Sequence, residues 1–329
     1  MKFFENFSYI YERYDSYLVD VYGVLYDGEK IYDGALSLLE QMNKNKRKVV
    51  ILSNTTLVSE RCKERYEKKG MIQGIHYDHF ISSGEAFNKT INQILPNIKS
   101  YYQIFEKNKD LFSSSNLIET QSIEDADVIY VGTIQEKGNR VRADNRITKK
   151  GSKIEIDDFI STDYNDIYGF ENIASTLDIC IKNNKTLVVA NPDIFAMEGI
   201  LVNGLIEKHP VICPGAIGEL YERHGGKVLY FGKPYKAIYD YAKTFLDGYN
   251  KTIMIGDTPW TDIIGGNLSN FDTALCLSGV LSELSRRLPE DTCILDKYKY
   301  VISTIAPKMT HIKMKEFSID PTYIVKSFA

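Results

Sequence analysis

Two apolar runs in this chain end in carboxylates, and those ends are the first places to look for chemistry. Leu18-Val19 leads into Asp20 and then Val21-Tyr22-Gly23-Val24, while Thr252-Ile253-Met254-Ile255-Gly256 leads into Asp257, with Asp262 five residues later. A short buried strand that delivers Asp to its carboxyl end commonly presents a nucleophile or a metal ligand in an open α/β sheet. Taken alone, Asp20 could equally cap a turn after a strand. Two further runs end in polar residues: Lys48 to Leu52 runs into Ser53-Asn54, and Lys227 to Phe231 into Gly232-Lys233-Pro234. If the four strands are parallel neighbours, Asp20, Ser53, Lys233 and Asp257 meet at one edge. Asp20, Asp257 and Asp262 then form an oxygen site of the kind Mg²⁺ takes, with few protein carboxylates and room for water and phosphate oxygens. A serine hydroxyl and a lysine at that edge hold an anionic group and offset charge developing on it. The combination points to phosphoryl chemistry.

The elements that position these residues alternate between strand and helix. After the first strand, Asp33 is placed to cap a helix with Ala35, Leu38, Leu39 and Met42 at helical spacing, and the strand from Lys48 follows. Such a βαβ unit makes its two strands parallel. Thr56 to Lys69 reads as a helix closed by Gly70, His79 to Ser83 as a strand, and Gly84 to Leu95 as a helix stopped at Pro96. Strands are expected at Tyr101 to Phe105, Val128 to Val131 and Thr186 to Ala190, with a helix over Ile173 to Lys182; the polar stretch from Gln135 to Ile156 reads as a long loop or mobile hairpin. The strand at Lys227 leads into a helix with Pro234 at its first position and Ile238, Tyr239, Ala242 and Phe245 on its buried face. Asp262 opens a short helical stretch closed by Gly265-Gly266, followed by a strand from Asp272 to Leu277 and a helix from Ser282 to Leu288. Residues 290–329 are expected to hold one edge element and a tail.

The order of these pieces resembles the haloacid dehalogenase (HAD) superfamily. Asp20-Val21-Tyr22-Gly23-Val24 matches motif I, Ile51-Leu52-Ser53-Asn54 motif II, Gly232-Lys233-Pro234 motif III, and Gly256-Asp257-Thr258-Pro259-Trp260-Thr261-Asp262 motif IV. The long insertion between motifs II and III looks like the subclass II cap. Ala190-Asn191-Pro192-Asp193 and Cys213-Pro214-Gly215-Ala216 further resemble subclass IIA. The implied fold is α/β: a Rossmann-like three-layer parallel sheet with an inserted α/β C2-type cap, the core in residues 1–96 and 213–329 and the cap in 97–212. The implied activity is that of a Mg²⁺-dependent phosphatase acting on a small phosphorylated metabolite through an aspartyl-phosphate on Asp20. Mg²⁺ would be held by Asp20, the backbone carbonyl of Tyr22, Asp257 and Asp262. Ser53 and Asn54 would bind phosphate, and Lys233 would stabilise the transferring group. Asn191 and Asp193 would face the substrate, or Asn191-Pro192 would simply form a turn.

One residue departs from the family pattern. Phosphatases of this superfamily usually carry a second Asp two residues after the nucleophile as general acid and base, and here that residue is Tyr22. A phenol with a pKa near 10 can donate a proton, but at neutral pH only about one part in a thousand is phenolate, which makes a poor base. Two other readings therefore stand beside the phosphatase. One is a catalytically weak binding or regulatory protein that keeps the fold and the metal. The other is a dehalogenase-type hydrolase, whose motif I also resembles Asp-x-Tyr-Gly but which needs no metal.

Composition narrows the classes. At 329 residues with 43% hydrophobic and 26% charged residues, the chain has the make-up of an ordinary soluble protein. A net charge of -4 gives no reason to expect nucleic acid or an anionic membrane as partner. The five cysteines are widely spaced without a C-x-x-C pair, as expected of reduced thiols in a cytoplasmic protein. No run reaches membrane-spanning length. The subclass leaves room for a homodimer formed through the cap. His76 and His79 flank a strand start and are expected at the surface or in a turn rather than on a metal, Cys213 as a small buried residue, and Trp260 at a cleft mouth or packed on a helix.

Overall fold

The computed structural model describes residues 2–105, 109–113, 115–136, 139–140, 173–202, 205–284, 288–289 and 291–329. The chain forms two compact units. Met1–Ser53, Val58–Ser83 and Lys233–Ala329 make the first, and Asn54–Leu57 with Gly84–Gly232 the second.

Seven strands build the first unit: β1 (Lys2–Asn6), β2 (Ser16–Val19), β3 (Lys48–Ser53), β4 (His79–Ser82), β5 (Thr252–Gly256), β6 (Asp272–Cys276) and β7 (Tyr323–Ser327). They lie in the order β1-β7-β6-β5-β2-β3-β4, and every neighbouring pair is parallel. A parallel sheet covered by helices on both faces demands strands that are apolar throughout, and Val49, Val50, Ile51 and Leu52 are all fully buried, as are Ile253, Met254 and Ile255. The fold class is thus α/β, Rossmann-like and three-layered, with an inserted α/β unit.

The helix Ala35–Lys44 buries Ala35, Leu38, Leu39 and Met42, the four positions that its spacing singles out. Its cap differs: Gly34, at φ 80°, precedes the helix and Asp33 makes no capping bond. The next helix is shorter than expected, Ser59–Glu67, and the chain turns at Gly70 with φ 91°. At the far end the sequence reading needs more correction. β7 is no edge element; it lies between β1 and β6, and the unexpected β1 forms the edge. Gly265 and Gly266 do not close a helix but sit inside one, Ile264–Leu268, after a π-turn at Pro259–Ile263.

The second unit carries a five-stranded parallel sheet in the order Lys227–Tyr230, Thr186–Val189, Val128–Val131, Ser100–Ile104 and Ile118–Glu119. The strand Lys227–Tyr230, expected in the main sheet, pairs instead with Thr186–Val189. The inserted unit therefore runs from Gly84 to Gly232, with Asn54–Leu57 added, past both ends of the 97–212 anticipated. An apolar run demands burial but does not name the sheet that buries it. Pro234 likewise precedes its helix, Lys236–Lys243, whose N-cap is Tyr235. Among its described residues the unit also holds two antiparallel pairs: Phe195–Val202 with Leu205–Ile212, which the sequence reading missed, and Gln135–Glu136 with Asn139–Arg140. Residues 137–138 and 141–156 of the expected loop lie outside the described residues.

Candidate active site

Strand pairing in the main sheet sets the first three residues. Val19 pairs with Ile51 on one side and Ile255 on the other, and the Asp20 N–H continues the ladder to the Ile255 carbonyl at 2.9 Å. Asp20 is therefore level with Leu52 and Gly256, so Ser53 and Asp257 lie one residue further along on either side. Asp262 reaches the same place from the π-turn, and carboxylate oxygens of Asp20, Asp257 and Asp262 lie within 4.8 Å of one another. All three side chains are buried.

Lys233 completes the cluster although its preceding strand belongs to the other sheet. Its ammonium lies 2.7 Å from Asp20 Oδ1 and 2.7 Å from Asp262 Oδ1, and it is 2% exposed. Burial alone would push Lys233 down, but the two carboxylates outweigh it and hold the ammonium charged, above the usual lysine range. Burial raises Asp20 well above the ordinary carboxylate value; Lys233 opposes the rise, and Asp262 and Asp257 add to it. Asp257 is pushed up to about 7, by burial first and then by Asp262, against donors that favour its ionised form. Those donors are the Val280 N–H, 2.7 Å from Oδ2, and the Thr258 hydroxyl, 2.8 Å from Oδ1. The Thr258 N–H also donates to Asp262 Oδ2 at 3.0 Å, so one residue steers both acids of motif IV.

Two of the three carboxylates share the one ammonium, in a place where unpaired charge is costly. Their donor set is oxygen only, the set that hard divalent cations take, so the cluster fits Mg²⁺. Among the described residues it is the one group of three or more acidic, histidine or cysteine side chains close enough to hold a metal ion.

Tyr22 is half-buried. Its ring meets Tyr26 edge-on at 6.2 Å, and its hydroxyl lies over Gly28, where an added Cβ would come within 2.7 Å of it. Asn54, Asn191 and Asp193 gather within the second unit. The Asn54 amide donates to Asp193 Oδ1 at 2.9 Å, and Asn191 Oδ1 accepts the Asp193 N–H at 2.9 Å. The Asn191 side chain thus folds over the Asp193 N–H, and the Asp193 carboxylate holds Asn54, the last residue of motif II.

The structure also places other residues that the sequence singles out. His76 Nδ1 accepts the Ile72 N–H at 3.0 Å within a turn, Cys213 is buried, and Trp260 is buried in the π-turn. The described cysteines are all free thiols. Sequence reasoning gave no role to Gly23 of motif I or Thr258 of motif IV and passed over the Ser278-Gly279-Val280 turn. The turn's one signal is a polar-glycine pair directly after an apolar strand.

Comparison with known proteins bears on the same segments. The family model of the haloacid dehalogenase-like hydrolases matches residues 17–116, which carry Asp20 and Ser53. A second, HAD-hydrolase-like model matches residues 230–301, which carry Lys233, Asp257 and Asp262. Phosphoglycolate phosphatases 1A and 1B, chloroplastic, from Arabidopsis thaliana are each 25% identical over 320 residues, covering 92% of this chain and 80% of the relative. Among solved structures, a haloacid dehalogenase-like hydrolase from Brucella suis 1330 superposes with a TM-score of 0.67 at 16% identity, covering 99% of both chains. A possible sugar phosphatase from Cytophaga hutchinsonii gives 0.66 at 20% identity, covering 99% of this chain and 98% of that one. Since the two family matches together span over half the chain, this protein belongs to the haloacid dehalogenase-like hydrolases, and its fold is shared with a possible sugar phosphatase of that superfamily.

Proposed function

We propose that the protein is a Mg²⁺-dependent phosphatase of a small phosphorylated metabolite, with Asp20 as its nucleophile. The observation that carries this reading is the buried ammonium of Lys233 held between Asp20 and Asp262, with Asp257 alongside. The names of the relatives, phosphoglycolate phosphatase and possible sugar phosphatase, support the substrate class.

In this reading an Asp20 oxygen bonds to phosphorus as the ester P–O bond breaks, and the leaving oxygen departs with the electron pair and takes up a proton. Water then attacks phosphorus, which releases phosphate and restores the carboxylate. Lys233 orients Asp20 and offsets charge on the transferring group, while the Ser53 hydroxyl, on the strand beside Asp20, holds phosphate oxygens. Asp20, Asp257, Asp262 and the carbonyl of Tyr22 would hold the cation. When bound, Mg²⁺ neutralises charge on the phosphoryl oxygens. Asn54 acts through its bond to Asp193, which fixes the chain just beyond Ser53.

Tyr22 favours a second reading, a weakly catalytic binding or regulatory protein. Without an acidic residue at that position, protonation of the leaving group falls to a phenol, and loss of positioned acid-base catalysis costs about 10²- to 10⁴-fold in rate. Hydrolysis of p-nitrophenyl phosphate separates the two, because its good leaving group tolerates a weak acid. Turnover that needs Mg²⁺, stops with EDTA and is absent in Asp20→Asn is the expected result. No turnover by a protein that binds Mg²⁺ would establish the second reading instead.

A further inference from the structure

The turn that follows β6 grips the cation-binding edge in a way that the phosphatase chemistry does not by itself require. The Leu277 N–H still pairs with the Val325 carbonyl at 2.9 Å, and then the chain leaves the sheet. The Ser278 hydroxyl donates to the Gly23 carbonyl at 2.7 Å, and the Val280 N–H donates to Asp257 Oδ2 at 2.7 Å. Gly279 lies between these two bonds. A Cβ there would collide with Asp257 Oδ2 and with the Gly23 Cα. A Cβ on Gly23, at φ 81°, would collide with the same Asp257 oxygen and come within 2.8 Å of the Gly279 Cα. Two glycines thus meet each other beside the carboxylate of Asp257.

The consequences are geometric. With Oδ2 held by Val280 and Oδ1 by the Thr258 hydroxyl, Asp257 cannot rotate about its side-chain bonds without losing one donor or both. With its carbonyl held by Ser278, Gly23 fixes the loop that begins at Asp20 and carries the Tyr22 carbonyl. One short turn therefore ties motif I to motif IV, and all its partners lie in the first unit.

We propose that the Ser278-Gly279-Val280 turn is a positioning element for the divalent cation: Ser278 and Gly279 set the Asp257 carboxylate and the Gly23 end of the nucleophile loop at the separation the cation requires. This rests on the cation-binding part of the reading above, but not on turnover. Groups that orient metal ligands through hydrogen bonds typically contribute about 10- to 100-fold to metal affinity.

The test is calorimetric titration of the full-length, metal-free protein with Mg²⁺, for the wild type, Ser278→Ala, Ser278→Thr and Gly279→Ala, together with the thermal midpoint of each metal-free form. The expected result is Mg²⁺ binding weakened about tenfold or more in Ser278→Ala, restored in Ser278→Thr, and weakened further in Gly279→Ala. In p-nitrophenyl phosphate hydrolysis the loss should fall on the half-saturating Mg²⁺ concentration rather than on kcat. If Gly279→Ala does not fold, the Ser278 pair decides alone. Equal Mg²⁺ affinity in wild type and Ser278→Ala, with only the thermal midpoint lowered, would overturn the positioning role and leave a structural turn. Absence of Mg²⁺ binding in the wild type would overturn the metal reading itself, whereas binding without turnover would sink only the phosphatase.

Discussion

At the scale of single residues, the site is governed by charge taken out of water. Lys233 is buried among carboxylates, and deleting one partner of a buried ion pair leaves the others uncompensated. Lys233→Met is accordingly expected to destabilise the metal-free protein by about 3–5 kcal/mol, read from urea unfolding, and to remove turnover. The carboxyl of Asp257, raised to about 7, contributes to the pH dependence of the metal site beside Asp20, which burial raises as well. Below that value the group holds a proton that a cation must displace, so Mg²⁺ affinity should climb as pH rises from about 6 to about 8. The sign for stability is the reverse: a raised carboxyl pKa contributes most below its unfolded value and fades as pH rises through about 7, so the metal-free fold weakens there. Calorimetry across that range checks the first statement, and a flat affinity would contradict it. Tyr22 is the third test at this scale. Tyr22→Asp restores a carboxyl at the acid position and should raise kcat by about 10²- to 10⁴-fold on esters with poor leaving groups. An unchanged kcat would mean that proton transfer does not limit this protein.

At the scale of elements, close approach decides details that local propensity gets wrong. Gly265-Gly266 reads as a helix stop, since glycine costs a helix interior about 1 kcal/mol relative to alanine. In the structure the helix runs through both, because a Cβ on Gly265 would collide with the Tyr239 ring and one on Gly266 would come within 2.6 Å of the Thr273 side chain. The glycines let the helix lie against its neighbours directly after Asp262. Gly265→Ala should therefore destabilise by about 1–3 kcal/mol through overpacking, despite the better helix propensity of alanine. A stabilised variant in chemical denaturation would show that the contact with Tyr239 yields freely. The cap of Ala35–Lys44 makes the same point in reverse: the four buried positions were legible from spacing, but the turn conformation went to Gly34 rather than to Asp33.

At the scale of the whole molecule, the chain folds as two units, and its candidate cation site is built within one of them. A ligand that binds only the folded form stabilises it by about 2.7 kcal/mol at one hundred times its dissociation constant. Mg²⁺ at that excess should raise the thermal midpoint reversibly with EDTA. Its protection in hydrogen exchange should appear in residues 20–24, 256–263 and 278–280, leaving the five-stranded sheet of the second unit unchanged. Protection spread evenly over both units would point to a cation bound elsewhere. Among the described residues, no helix is long and apolar enough to cross a membrane.

What the amino-acid sequence determined by itself is the set of strands that present chemistry: Asp20, Ser53 and Asp257 stand where apolar runs end, because a parallel strand covered on both faces must be apolar until it leaves the sheet. The βαβ order then makes those strands parallel, and so the acids share an edge. Tertiary structure alone decided which sheet Lys227–Tyr230 joins, that Lys233 nevertheless reaches Asp20 and Asp262, and that Ser278-Gly279-Val280 closes over Asp257. The reason is physical: burial and periodicity are written in neighbouring residues, whereas an ammonium shared by two distant carboxylates, or two glycines meeting beside a third, is defined by atoms that meet only when the chain has folded.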